Sequence, residues 1–403
     1  AFGDSAHGAG SLTTLAAVAA AVSGDRECKW YAEACRGWRA GTTETPETLP
    51  ESACWMVGLE GARAYAQLRP CDPGHVSVLL GDTGYAALRE GDRYLAIAAA
   101  DRGPIVTSHG HNDIFALEVH AGGTRYLGQP AIAPYGDTPG RTYDELSACH
   151  SVLTVDGMEQ IAYIAEWRWA QVTIPAVRRW ISEPTHDFFH GVHEGFYRWP
   201  EHQVLHARKV FFMKADPAYW VVLDWLESNV ECDAAIYFSG CRPGEVQGSR
   251  ILLGDADGGL AIIPPAEDGL VPARVDGEDY LAYCREIRAD PAQVPAFVYR
   301  QRTGATCFAW VLCPLAPGQA PPAVHRLPVT VNGAVADPAA AVALELRFAG
   351  QTDVLCVSHQ DFDAELTFGD HRSWGFLAFR RLAPDGATAL VIEQVMADGR
   401  CGR

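Results

Sequence analysis

Lysine is nearly missing from this chain: among 403 residues, only Lys29, Lys209 and Lys214 carry an ammonium group. With a formal net charge of −18, the chain lacks the basic face that a nucleic-acid partner needs. The remaining cations are arginines, whose planar guanidinium pairs bidentately with carboxylate or sulfate. A GC-rich genome is the plainer source of the same bias. Long apolar runs are also missing, and with them any candidate membrane-spanning helix or membrane partner. The opening Ala1-Phe2-Gly3-Asp4-Ser5 has neither the basic nor the apolar stretch of a signal peptide, which says little for a chain without an initiator Met. Twelve cysteines occur, yet no CxxC pair or metal-finger spacing joins them. Their dispersal fits reduced, buried thiols rather than a disulfide framework. That places the expected compartment in a bacterial cytoplasm ahead of the periplasm.

What is present is globular. Apolar residues make up 48% and charged residues 20%, and a chain of this length divides into two or three domains as a rule. Leu12, Leu15, Val18, Ala19 and Val22 recur at helical spacing, predicting a helix over 11–36; a second is expected over about 50–68. After Pro73-Gly74 the pattern changes to short runs rich in Val, Ile, Tyr and Phe between Gly, Asp and Pro turns. Examples are Tyr94–Ala99, Ile114–His120, Val210–Met213, Trp220–Trp225 and Phe308–Leu312, with Ala121-Gly122-Gly123 as a hairpin turn. This density of short strands predicts a mainly β protein, a large antiparallel β-sandwich preceded by a short helical segment. The Pro-rich stretch Pro314–Pro322 reads as a linker to a smaller all-β domain. The expected domains are therefore 1–75, 76–313 and 314–403.

One segment concentrates chemistry: Ser108-His109-Gly110-His111-Asn112-Asp113. Two histidines at i and i+2 on an extended backbone share a face, and such a pair can bind one metal or divide catalysis from ligation. Two surface histidines at a strand start are the bland alternative. Around the pair lie Gly84-Tyr85, Tyr94–Ile97, Phe115–His120, Gly122-Gly123, and Ala148-Cys149-His150-Ser151-Val-Leu-Thr-Val155-Asp156-Gly157. Glu194–Tyr197, His206-Ala-Arg208 and Trp220–Asp224 follow in order.

This order resembles the central β-domain of the heparinase II/III-like polysaccharide lyases over roughly residues 80–310. The resemblance implies that residues 1–75 end an α/α toroid and that most of that toroid is absent from the chain as given. It also implies β-elimination at a uronic acid in an acidic polysaccharide or oligosaccharide, with His109 moving a proton. His111 and His150 are implied as zinc ligands. The third ligand in the family is an Asp of an Asp-Pro-Gly turn, and here Leu127-Gly128-Gln129-Pro130 stands there, so Gln129 replaces the carboxylate; Asp137 and Asp144 lie near enough in sequence to substitute. Tyr135 and Tyr143, in the loop before His150, are candidate catalytic tyrosines. Arg102, Arg141 and His193 are candidate substrate contacts, while Trp167, Trp169 and Trp180 suit a sandwich core better than sugar stacking. Two rival functions remain open: a catalytically lapsed carbohydrate-binding β-sandwich, which Gln129 favours, and a metal-dependent hydrolase built on His109, His111 and His150.

Overall fold

The structure is a computed structural model that describes residues 9–37, 48–74, 76–101, 109–165, 168–170, 173–199, 202–255, 258–360 and 362–396. The described residues divide into two units, one within 5–76 and one within 77–403.

In the smaller unit, helices α1 (Ala9–Ser23), α2 (Arg26–Gly37) and α3 (Glu51–Gln67) pack through small residues, with Ala17, Ala20, Ala32, Ala53 and Tyr65 buried. The helix expected over 11–36 is in fact two. Gly24 sits at φ +73°, the left-handed backbone that ends helices. Asp25 then restarts the chain, its carboxylate accepting the amides of Glu27 (2.8 Å) and Cys28 (3.0 Å) as an N-cap.

The larger unit is built from strands, and every strand pairing among the described residues is antiparallel. Eight strands of a nine-stranded sheet run, edge to edge, from Gly244–Gln247 through Arg250–Asp255, Gly258–Ile263, Thr306–Leu315, Tyr219–Ser228, His202–Met213 and His186–His193 to Ala176–Ser182, and Tyr197–Trp199 pairs with His202–Met213 off that path. At the sheet's centre both faces are buried. Along Tyr219–Ser228, Trp220, Val222 and Leu226 enter one core while Tyr219, Val221, Leu223 and Trp225 enter another, as the two-residue period of a strand requires.

The first core is shared with a five-stranded meander that begins at Val78–Leu80 and ends in the hairpin Leu117–Ala121/Thr124–Leu127. Gly122 and Gly123, at φ +57° and +72°, make the two-residue turn that only glycine adopts readily. A four-stranded sheet containing Leu153–Val155 and Cys232–Ser239 completes that core.

The second core joins the central sheet to the C-terminal strands, among them Ala341–Phe348, Gln351–Ser358 and Leu377–Leu382. The strand Thr306–Leu315 runs straight through the expected 313/314 boundary. The Pro-rich stretch after it is a short connection, and the strands on either side of it pack into one core. Three contacts tie this interface. Lys209 donates to the Ser358 carbonyl (3.0 Å) and lies 4.5 Å from the Trp225 ring centre. His359 stacks on Trp225 at 4.9 Å and 7°. Asp353, wholly buried, takes both prongs of Arg381 (2.9 and 2.8 Å) and the Tyr219 hydroxyl (2.7 Å).

Candidate functional site

His109 to Ala116 form a loop, and the strand begins only at Leu117. Its backbone is tied by side chains as well as by backbone bonds from the Asn112 amide to the Glu145 carbonyl (2.9 Å) and from the Phe115 amide to the Ala98 carbonyl (2.6 Å). Asn112 Oδ1 accepts the Ile161 amide (2.7 Å), and the Gln160 side chain accepts from the Ile114 amide (2.9 Å) and donates to its carbonyl (2.8 Å). The shared-face argument for the histidine pair therefore fails: His109 is exposed and His111 is wholly buried.

His150 follows the turn Ser147–Cys149, which Glu159 holds by accepting from the Ser147 amide (2.8 Å) and hydroxyl (2.6 Å). Its ring lies 5.4 Å from that of His111, centre to centre. Gln129 joins them, its amide nitrogen 3.5 Å from His111 Nδ1 and hydrogen-bonded to Asp144. Because a carboxylate only accepts, the NH₂ end of Gln129 faces Asp144 and the Oε1 end is left over. Both Gln129 Oε1 and His150 Nε2 are buried without a hydrogen-bond partner, an arrangement that costs about 1–3 kcal/mol for each group.

Asp144 belongs to helix α4 (Pro139–Glu145), which Thr138 caps by accepting the Arg141 amide. It also accepts from the Ala133 amide (3.0 Å) and from Arg141 (2.8 Å). Burial pushes its carboxyl up, against the opposing pull of His111 and Arg141. Asp137, the other carboxylate considered as a substitute ligand, is exposed.

Three expectations need correction. Arg141 is not at a substrate surface: it is buried, and its two terminal nitrogens bind Asp144 and Glu145 (2.8 and 2.9 Å). The spacing Arg141-x-x-Asp144-Glu145 on a helix was the available signal for this pairing. Tyr143 faces a separate core with Tyr280 and Tyr283 of helix α5 (Glu278–Glu286), and its hydroxyl donates to the Ala148 carbonyl (2.9 Å). Burial pushes that phenol well above its usual range. His193 is a buried strand residue whose Nδ1 accepts the Gly195 amide (3.0 Å) while Nε2 meets His206 Nδ1 (2.8 Å). It borders a cavity of about 140 Å³, also lined by His190, Glu194, Glu227 and His359.

Tyr135, by contrast, is 58% exposed, and its hydroxyl lies 3.3 Å from His109 Nδ1. The structure thus brings His109 to Tyr135 and brings His111, Gln129 and His150 together, with Asp144 behind Gln129. Arg102 and Trp167 lie outside the described residues. Trp169 is buried, as suits a core residue, and Trp180 packs partly buried against the same core.

Among the described residues no trio of His, Cys, Asp or Glu side chains stands ready to hold a metal ion. Two imidazoles and an amide oxygen still suit a divalent ion as neutral N and O donors, and the two partnerless buried atoms belong to that set. Asp144 contributes no obvious vacancy, since its oxygens already accept from Gln129, Ala133 and Arg141.

Three comparisons bear on this geometry. The family described as heparinase II/III-like, C-terminal, matches residues 72–311. A mutant of heparan sulfate lyase HepC from Pedobacter heparinus is similar in fold, with a TM-score of 0.63 at 16% identity over 89% of this chain and 50% of that one. A heparinase III gene product gives a TM-score of 0.61 at 12% identity over 89% and 49%. A further heparinase III structure gives 0.57 at 14% over 82% and 48%. The chain thus spans about half the length of these solved structures. No curated protein matches it. With the family matching more than half of the chain, and on the region that carries His109, His111, Gln129 and His150, the protein belongs to the heparinase II/III-like family through its C-terminal domain.

Proposed function

We propose that this chain carries the β-domain half of the active site of a polysaccharide lyase acting on uronic-acid-containing glycans. The observation that supports this most is the exposed contact of His109 Nδ1 with the Tyr135 hydroxyl. Two groups able to hand protons on stand together there, where a polymer can reach them.

In β-elimination a base removes the proton on C5 of the uronate, the C4–O bond breaks, a C4–C5 double bond forms, and the departing oxygen gains a proton. His109 and Tyr135 are assigned to these proton movements, with the His109 imidazole suited to either direction near neutrality. The uronate carboxylate must be neutralised for C5 to become acidic. A helical toroid is the partner that family membership suggests for that task.

His111, Gln129 and His150 would hold a zinc ion, which when bound supplies a fixed positive charge beside the loop that bears His109. Whether or not the ion is bound, this chain's own residues give that loop its geometry through Asn112, Gln160 and Ile161.

The test is ultraviolet absorbance of the unsaturated product, measured with heparan sulfate, chondroitin, hyaluronan and alginate oligomers. A rise with one glycan class is expected. It should fall by at least ~100-fold in His109→Ala and Tyr135→Phe, as loss of a proton-transfer group predicts. Tyr143→Phe should leave the rate within a few fold. No rise on any glycan, with oligosaccharide binding retained, would move the assignment to the lapsed binding module that Gln129 favours. A saturated product would indicate a hydrolase.

A further inference from the structure

The strand register stacks four polar side chains inside the first core. His193 lies opposite His206 across one strand pair, and Arg208 lies opposite Asp224 across the next. All four are at most 1% exposed, so each polar atom needs a protein partner.

The hydrogen bonds can be followed in one direction only. The Gly195 amide donates to His193 Nδ1 (3.0 Å), so a neutral His193 carries its proton on Nε2. That proton goes to His206 Nδ1 (2.8 Å). His206 must then carry its own proton on Nε2, which meets Asp224 Oδ1 (2.9 Å). Asp224 also receives Arg208 Nε (2.7 Å) and Nη2 (2.9 Å). Of the three guanidinium protons that remain, two are on Nη1. They go to the carbonyls of Phe115 (2.6 Å) and Ser151 (2.8 Å).

Those two carbonyls belong to the two loops that bear the candidate ligands. Phe115 closes the loop containing His109 and His111, and Ser151 follows His150 directly. Phe115 is also held at φ +63°, a backbone costing roughly 1–3 kcal/mol for a non-glycine residue. Its ring packs on His193 (5.5 Å) and His206 (6.0 Å), the same residues that orient Arg208 through Asp224. A strained residue clamped from both its carbonyl and its ring is over-determined.

We infer that Arg208, aimed by the chain His193–His206–Asp224, is a positioning residue that sets the spacing of the His109–His111 loop relative to His150. The inference rests on taking His111, Gln129 and His150 as one site. It reassigns His193 from the substrate to the scaffold behind the site.

The test compares the wild type with Arg208→Lys, which keeps the charge but has too few donors to reach the same four acceptors. Amide hydrogen exchange over 110–116 and 150–153 should speed up by about 10-fold in both loops together, with the strands Tyr219–Ser228 and Thr306–Leu315 unchanged. Cobalt(II) affinity, read by its visible absorbance, should fall by about 10-fold. Exchange that rises equally across all strands would overturn the inference and leave Arg208 as an ordinary core ion pair. So would loops that stay as protected as in the wild type.

If Arg208→Lys does not fold, His193→Leu carries the test. It should loosen the same two loops, and His193→Gln, which keeps a donor toward His206, should restore them; no restoration counts against the inference. If wild-type chain binds no cobalt, the metal assignment falls, and the exchange measurement still decides whether Arg208 positions the loops.

Discussion

At the scale of single residues, the site turns on Gln129. In the proposed site an amide in place of a carboxylate would give a zinc ion two imidazoles and a neutral oxygen, a poorer set than one with Asp. Gln129→Asp should therefore tighten zinc binding by at least ~10-fold. The same change sets a second carboxylate against Asp144, so in chelator the variant should melt below the wild type. Zinc at a hundred times its dissociation constant should then return about 2.7 kcal/mol. Thermal melts with and without zinc check both halves, and an equal response of the two proteins to zinc would remove Gln129 from the ligand set.

Residue types alone could not separate Tyr135 from Tyr143. Both stand in one loop with equal claims, and what decides between them is the way helix α4 packs on α5, turning Tyr143 inward. His111 and His150 lie together in the structure, and only the motif resemblance joins positions so far apart in the chain. The His193–His206–Asp224–Arg208 chain was not legible in the sequence, because its members lie on three strands that only register aligns.

At the scale of elements, most strands follow from alternation, and the hairpin at Gly122-Gly123 follows from the need for two positive φ values in a row. The missed break between α1 and α2 was also written locally, in Gly24-Asp25. Alternation alone suggests a strand at His109–Ala116, because it cannot reveal that the Gln160 side chain takes both backbone groups of Ile114 while Asn112 reaches out to the Ile161 amide.

That loop packs on the central sheet at Gly191. A Cβ there would meet the Phe115 ring at 2.5 and 2.7 Å. Gly191→Ala should accordingly cost about 1–3 kcal/mol by overpacking, and exchange protection should fall in the His109 loop before it falls elsewhere. A variant as stable as the wild type, with an undisturbed loop, would show that Phe115 is free to move aside.

At the scale of the molecule, the C-terminal strands form part of the central sheet's packing, which composition could not reveal: a Pro-rich stretch marks a connection whether or not the two sides pack together. Asp353 is the polar anchor of that interface. Asp353→Ala would leave the buried Arg381 and the Tyr219 hydroxyl without their carboxylate, and breaking a buried pair costs about 3–5 kcal/mol. Urea unfolding should register the loss, and a change below about 1 kcal/mol would place the anchor elsewhere.

The central sheet also makes the protein acid-sensitive. Burial, with the Lys214 charge added, lowers the His186 imidazole to about 4. Burial, with Lys209 and its cationic neighbours, lowers His190 to about 2. The unfolded chain protonates these rings near 6.5, so it binds more protons than the folded one below that pH. Their contribution to stability is whole above about 6.5 and drains as pH falls toward 4. Between pH 7 and 5 the unfolding midpoint should drop, and less so in His186→Asn. An identical drop in that variant would assign the effect to other groups.

Trp225 has one further consequence. It lies in the core joining the central sheet to the C-terminal strands, with Lys209 near its ring and His359 stacked on it. An indole flanked by a cation and an imidazole is a natural optical gauge: its emission will brighten or shift when the strand bearing His359 lifts away. The difference spectrum between this protein and Trp225→Phe would report, without any added label, when the two sheets part company.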